Sequence, residues 1–155
     1  MLFKDETDKK VFELIVGINI RFGRLVQQQL KKLNMTFSQF KTMIVLSQKD
    51  NITQREFADM IDTDTTTVMV LCDSLEKKGW LIRMPDATDR RVNRLLLTDN
   101  GKKVFSQALP LVQTIYNDYA LNNISTDELK TAIPVLEKLF LNINTCLKQT
   151  RKQER

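Results

Sequence analysis

Residues 64–97, DTTTVMVLCDSLEKKGWLIRMPDATDRRVNRLLL, change their apolar periodicity halfway along. Up to Lys78 the apolar positions recur every three or four residues, which predicts a helix over Asp64–Lys78 with Gly79 as its C′ residue. Beyond it, Trp80–Met84 and Val92–Leu97 read as strands flanking the polar turn Pro85–Arg91, a hairpin with a charged tip. Immediately upstream, Thr53-Gln54-Arg55-Glu56 is a capping box, with Ile52 and Phe57 placed as a hydrophobic staple. Two short helices joined by a tight turn and followed by a β-hairpin make a winged helix-turn-helix.

The same start signal recurs on either side. Thr36-Phe37-Ser38-Gln39 with Met35 and Phe40, and Ser125-Thr126-Asp127-Glu128 with Ile124 and Leu129, repeat the box and the staple. Between Lys9 and Leu33 the residues Val11, Leu14, Ile15, Ile18, Phe22, Leu25, Val26 and Leu30 form a helical stripe. Thr98 or Asp99 opens a further helix to about Leu121, with Pro110 expected to kink it. A last helix runs from Asp127 into the basic tail, with Pro134 as a second expected kink. The fold class is therefore mainly α with a small β-hairpin wing. Residues 35–105 form the winged helix-turn-helix, and residues 1–34 and 106–155 form a helical dimerisation region, because their long apolar stripes would be partly wet in a lone subunit.

Composition narrows the function. The 155 residues carry 24 Lys+Arg against 19 Asp+Glu, a net charge of +5, and no histidine. Without imidazole, Ser-His-Asp triads and His-ligated zinc are excluded. Four glycines, none in a phosphate-cradling pattern, leave no nucleotide loop, and two cysteines 74 residues apart form no ligand spacing. The expectation is a protein that is not an enzyme and holds no metal or cofactor. The N-terminal MLFKDETDKK lacks an apolar segment, and no run approaches a membrane span, so a cytoplasmic location without membrane contact is expected.

On the Asp64–Lys78 helix, an advance of about 100° per residue groups Val68, Leu71 and Leu75 on a buried face with Cys72 at its edge. Thr66, Val70, Asp73 and Lys77 fall on the opposite face. A lone exposed valine is common, but Val70 beside Met69 also suits thymine methyl groups in a major groove. Thr65, Thr66 and Thr67 crowd the helix N-terminus, where one threonine suffices for a cap and three suit phosphates or base edges. At the hairpin, Arg83, Arg90, Arg91 and Arg94 outnumber Asp86 and Asp89. A wing arginine can enter a narrow minor groove, and Asp89 is placed to hold the Arg91 guanidinium in a bidentate pair.

Taken in series, T-x-x-Q-F from Thr36, T-Q-R-E-F-A from Thr53, T-T-V from Thr66, D-S-L-E-K-K-G-W-L-I-R from Asp73, P-D-x-x-D-R-R from Pro85 and L-L-L-T-D-x-G from Leu95 resemble the MarR family of winged-helix regulators. The resemblance covers Met35 to about Phe105. It implies a homodimeric, sequence-specific DNA-binding transcriptional regulator, a repressor on a pseudo-palindromic operator, with the Asp64–Lys78 helix in the major groove and the wing arginines in the minor groove. It also implies that Asp89 positions Arg91. A small aromatic or phenolic effector is a further partner the resemblance suggests; Phe12, Ile15, Arg21, Phe22 and Met43 are available to line a cleft, but spacing does not separate them from core. Val70 departs from the arginine or polar residue often found there, which points to A·T-rich sites. Some relatives carry an oxidant-sensing cysteine near the end of the first helix; this chain has none there, and Cys72 and Cys146 are expected to be small buried hydrophobes. The DNA-contacting set expected is Gln54, Asp64, Thr65, Thr66, Thr67, Met69, Val70, Arg83, Asp89, Arg90 and Arg91. The competing reading is a winged-helix module for protein–protein contact, which would have no use for Arg90 and Arg91.

Overall fold

The computed structural model describes residues 3–61 and 63–153, the side chains of residues 148 and 151–153 excepted. Its helices are α1 (Glu6–Leu30), α2 (Phe37–Gln48), α3 (Gln54–Met60), α4 (Thr65–Glu76), α5 (Asp99–Thr114) and α6 (Thr126–Gln153), and its strands are β1 (Ile52–Thr53), β2 (Leu81–Pro85) and β3 (Asn93–Leu97). A single 3₁₀ turn, Lys31–Leu33, extends α1, and a π-helical segment, Ile115–Ala120, extends α5. By contacts the chain divides into two compact units, residues 1–120 and 121–155.

The three start signals are realised as hydrogen bonds. Thr36 Oγ1 accepts from the Gln39 N–H (3.1 Å) while Gln39 Oε1 accepts from the Thr36 N–H (3.0 Å). Thr53 and Glu56 exchange the same pair at 3.1 and 2.7 Å, and Ser125 and Glu128 at 3.2 and 2.8 Å. Each box satisfies donors that the first helical turn leaves without intrahelical partners. α1 begins before the expected Lys9 because Asp5 caps it, its carboxylate accepting the Asp8 N–H at 2.9 Å. α4 ends as its glycine demands: Gly79 has φ +67°, its N–H donates to the Glu76 carbonyl (2.9 Å), and the Trp80 N–H donates to the Leu75 carbonyl (3.0 Å). This pair of bonds is a Schellman motif. α5 continues through Pro110 to Thr114, and its change of pitch comes at Ile115.

The hairpin forms with Leu81 opposite Leu97 and Pro85 opposite Asn93, antiparallel throughout. A third strand, which the sequence did not reveal, adds β1 on the other side of β3 in the order β1-β3-β2. Two residues are too few to display alternation. Leu95 and Leu97 of β3 face the core with Leu81 of β2, so the sheet is anchored on one side.

One apolar core fills the first unit. It joins Val26 and Leu30 of α1, Phe40, Met43 and Leu46 of α2, Phe57 of α3, Val68, Cys72 and Leu75 of α4, Trp80, the inner leucines of the sheet, and Ala108 and Ile115. Only the C-terminal part of α1 takes part. Its N-terminal part leaves Phe12, Leu14, Ile18 and Ile20 exposed, Ile18 at 64%. In the second unit, α6 carries Leu136, Phe140, Ile143 and Leu147 at helical spacing, all of them exposed. Cys146 on that helix is exposed and not a small buried hydrophobe as the sequence suggested, whereas Cys72 is.

Candidate nucleic-acid interface

α4 and the hairpin are the two elements on which the sequence placed most of the expected contacts. The buried stripe of α4 runs through Val68, Cys72 and Leu75, none of them solvent-accessible. Leu71 is only half-buried, so the inner face is rotated toward Cys72 relative to the expectation. Burial also pushes the Cys72 thiol up to about 11, where it is a neutral hydrophobe at physiological pH. The opposite face exposes Thr65, Thr66, Met69 and Val70, with Val70 at 64%.

Asp64 is the N-cap of α4. One carboxylate oxygen accepts the Thr67 N–H and the other the Thr67 hydroxyl, both at 2.8 Å. Those bonds hold its pKa below the usual carboxylate range. Asp64 and Thr67 therefore build the start of the helix, and the exposed Thr65 and Thr66 are the hydroxyls left to meet a ligand. Gln54 stands at the first position of α3, half-buried.

The wing is organised by Asp86, a residue that in the sequence stands out only as a negative charge. Its buried carboxylate accepts from the Thr88 hydroxyl (2.5 Å), the Thr88 N–H (2.7 Å), the Asp89 N–H (3.1 Å) and Arg94 Nε. The Thr88 hydroxyl above all, then the two amides and Arg94, hold its carboxyl far below the usual carboxylate range. Arg94 in turn donates to the Asn51 carbonyl at 2.8 Å, tying the base of the wing to the turn before β1.

Asp89 does not make the expected pair with the Arg91 guanidinium. Its carboxylate accepts the Arg91 backbone N–H at 3.0 Å, and its carbonyl accepts the Val92 N–H at 2.9 Å. A carboxylate two residues ahead of an amide closes an Asx turn, a shorter path than reaching a long side chain. Asp89 thus shapes the peptide that carries Arg91. Arg83 is also placed differently from the expectation: it donates to Asp73 (2.6 Å), Glu76 (2.5 Å) and the Met69 carbonyl (3.2 Å), all on α4. Of the four arginines counted in the wing, Arg83 and Arg94 are engaged internally. Arg90 and Arg91 at the tip are exposed and make no ion pair among the described residues.

The arrangement offers apolar and hydroxyl groups on one exposed helix face, and two exposed guanidiniums at the end of a braced hairpin. It contains no cluster of three or more metal-ligating side chains among the described residues. None of the described helices is long and apolar enough to cross a membrane.

Comparison with known proteins agrees with this geometry. The family model described as MarR family matches residues 35–92, from the residue before the α2 cap to the end of the wing turn. The multiple antibiotic resistance protein MarR of Escherichia coli (strain K12) is 29% identical over 127 residues, covering 82% of this chain and 88% of that protein. A crystal structure of a mutant of E. coli MarR complexed with operator DNA superposes with a TM-score of 0.77 at 28% identity, covering 84% of this chain and 93% of the other. The transcriptional regulator SlyA shares the fold with a TM-score of 0.82 at 23% identity, over 90% of this chain and 98% of that one. Fold, motifs and relatives coincide on the same residues, and over residues 35–92, the helix-turn-helix and its wing, the chain matches the MarR family.

Proposed function

We propose that this protein is a homodimeric, sequence-specific DNA-binding transcriptional regulator, a repressor that binds a pseudo-palindromic operator. The observation that carries the reading is the pairing of the exposed hydroxyl and apolar side chains at the start of α4 with Arg90 and Arg91, exposed at the tip of a wing whose other cations are internally engaged. α4 supplies base contacts in the major groove through Thr65, Thr66, Met69 and Val70, and the tip arginines supply minor-groove and phosphate contacts. Asp64, Thr67 and Asp89 act by shaping the backbone at these places. The complex of an E. coli MarR mutant with operator DNA supports the same use of the fold here.

Dimerisation rests on the exposed apolar residues of α1 and α6, which exceed what a monomer leaves in water at helical spacing. Light scattering at micromolar concentration tests it: a dimer is expected from the parent, and Ile18→Asp, which puts a charge into the apolar face, is expected to shift it toward monomer. A monodisperse parent monomer overturns the dimer. A small aromatic or phenolic anion as effector is favoured by one observation, an open cleft of about 580 Å³ in the first unit lined by Lys10, Arg21, Phe22, Leu25, Ile115 and Tyr119 among others. Of the residues considered from sequence, Arg21 and Phe22 line it, Phe12 and Ile15 are not among its lining, and Met43 is core. Isothermal titration with salicylate-like acids tests this reading; no heat at millimolar ligand removes it.

A further inference from the structure

Arg83 projects from β2 onto α4, and its side chain is only 17% exposed. Its three acceptors, the Met69 carbonyl, Asp73 and Glu76, lie at i, i+4 and i+7, one stripe of the helix spanning roughly 10 Å of its axis. Burial opposes its charge, but the hydrogen bond to Asp73 and the neighbouring Glu76 outweigh it and raise its pKa. Asp73 lies three residues beyond Val70, on the side of α4 that faces away from the core. A free carboxylate there would oppose phosphate.

We propose that Arg83 is a positioning residue for DNA recognition: it fastens the wing strand to α4, holds Asp73 and Glu76 in fixed positions, and offsets half of the negative charge that the two would otherwise carry toward the duplex. This rests on the DNA-binding reading given above. The fork geometry of guanidinium matters, since two carboxylates on successive turns are met by two separate N–H edges. A lysine ammonium keeps the charge, but its three donors leave a single nitrogen and cannot meet carboxylates on successive turns from two separate nitrogens.

The test is a double-mutant cycle on operator affinity. In the parent, Arg83→Met should weaken operator binding by about tenfold, the scale of a lost charge-assisted hydrogen bond. In an Asp73→Asn/Glu76→Gln background there is no acid to hold or neutralise, and the same substitution should cost less than about threefold. Arg83→Lys guards against a folding failure of the methionine variant: it should cost about threefold in the parent and nothing measurable in the neutral background. Hydrogen exchange without DNA supplies the second readout, with Arg83→Met speeding exchange of the β2 amides and leaving those of α2 unchanged. Equal losses in both backgrounds, with a parent that binds, would make Arg83 a direct DNA contact and overturn the proposal alone. A parent that binds no duplex at any salt concentration removes the underlying reading and the proposal with it.

Discussion

Replacing Arg91 with alanine removes one exposed cation, without an ion pair among the described residues, from each wing tip, two from a dimer. Each phosphate-neutralising cation contributes about 0.9 to the slope of log affinity against log salt, so the slope should become shallower by about 1.8. Between 50 and 200 mM salt, a fourfold change, the parent should therefore lose roughly tenfold more affinity than the variant. The assay is fluorescence anisotropy of a labelled operator duplex at four salt concentrations, repeated with scrambled DNA. The loss should appear on both duplexes, because the contact is to backbone and groove and not to a base-edge pattern. Asp89→Ala is the control. It removes the acceptor of the Arg91 N–H (3.0 Å) but leaves the guanidinium, so affinity should fall while the slope does not become shallower. A parent slope retained in Arg91→Ala would refute the reasoning, and the wing would then be free for a protein partner.

The remaining predictions concern base reading, packing and pH. Val70→Ala should relax preference at one thymine by ~1–3 kcal/mol with little change in salt slope, as checked by titrating operators substituted base by base. Gly101→Ala should destabilise by ~1–3 kcal/mol, lowering the thermal midpoint by roughly 2–4 °C for each. A Cβ there would overlap the Trp80 carbonyl and lie 2.9 Å from its carbon, a backbone group already accepting the Thr98 N–H at 3.1 Å. Asp86 titrates lower folded than unfolded, so its stabilising effect is present at neutral pH and lost as pH falls below the ordinary carboxylate range, about 4. Asp86→Asn should accordingly melt below the parent at pH 7, with the gap narrowing as the solution is acidified past that point.

Much of the fold was legible because its boundaries are written locally. Thr36, Thr53 and Ser125 each announce a helix within four residues, and Gly79 supplies the positive φ that ends α4. What the sequence did not disclose depends on partners distant along the chain or on fine rotation. β1 exists only by pairing with β3, forty residues on, and has no period of its own. The inner face of α4 takes in Cys72 and leaves Leu71 half-buried: a step of about 100° sets Cys72 about 40° to one side of Val68 and Leu71 about 60° to the other, and the surrounding elements decide which of them is covered. Arg83 and Arg94 looked like free wing charge until their acceptors came from α4, Asp86 and Asn51. Asp89 was legible as an orienting residue, but its spacing to Arg91 suits an Asx turn as well as an ion pair, and the turn won. The exposed Val70, Arg90 and Arg91 stand where the periodicity and the hairpin placed them.

The proposed function requires two copies of α4 and of the wing to read one duplex about a two-fold axis. The most direct test is selection of binding duplexes from a random pool with the full chain, followed by the mass of the complex formed on the winning sequence. A pseudo-palindrome with half-site centres about one helical turn apart, ~10 bp, and two protein chains per duplex are expected. An enriched site that is asymmetric and carries one chain, or a pool that shows no enrichment at all, would contradict it.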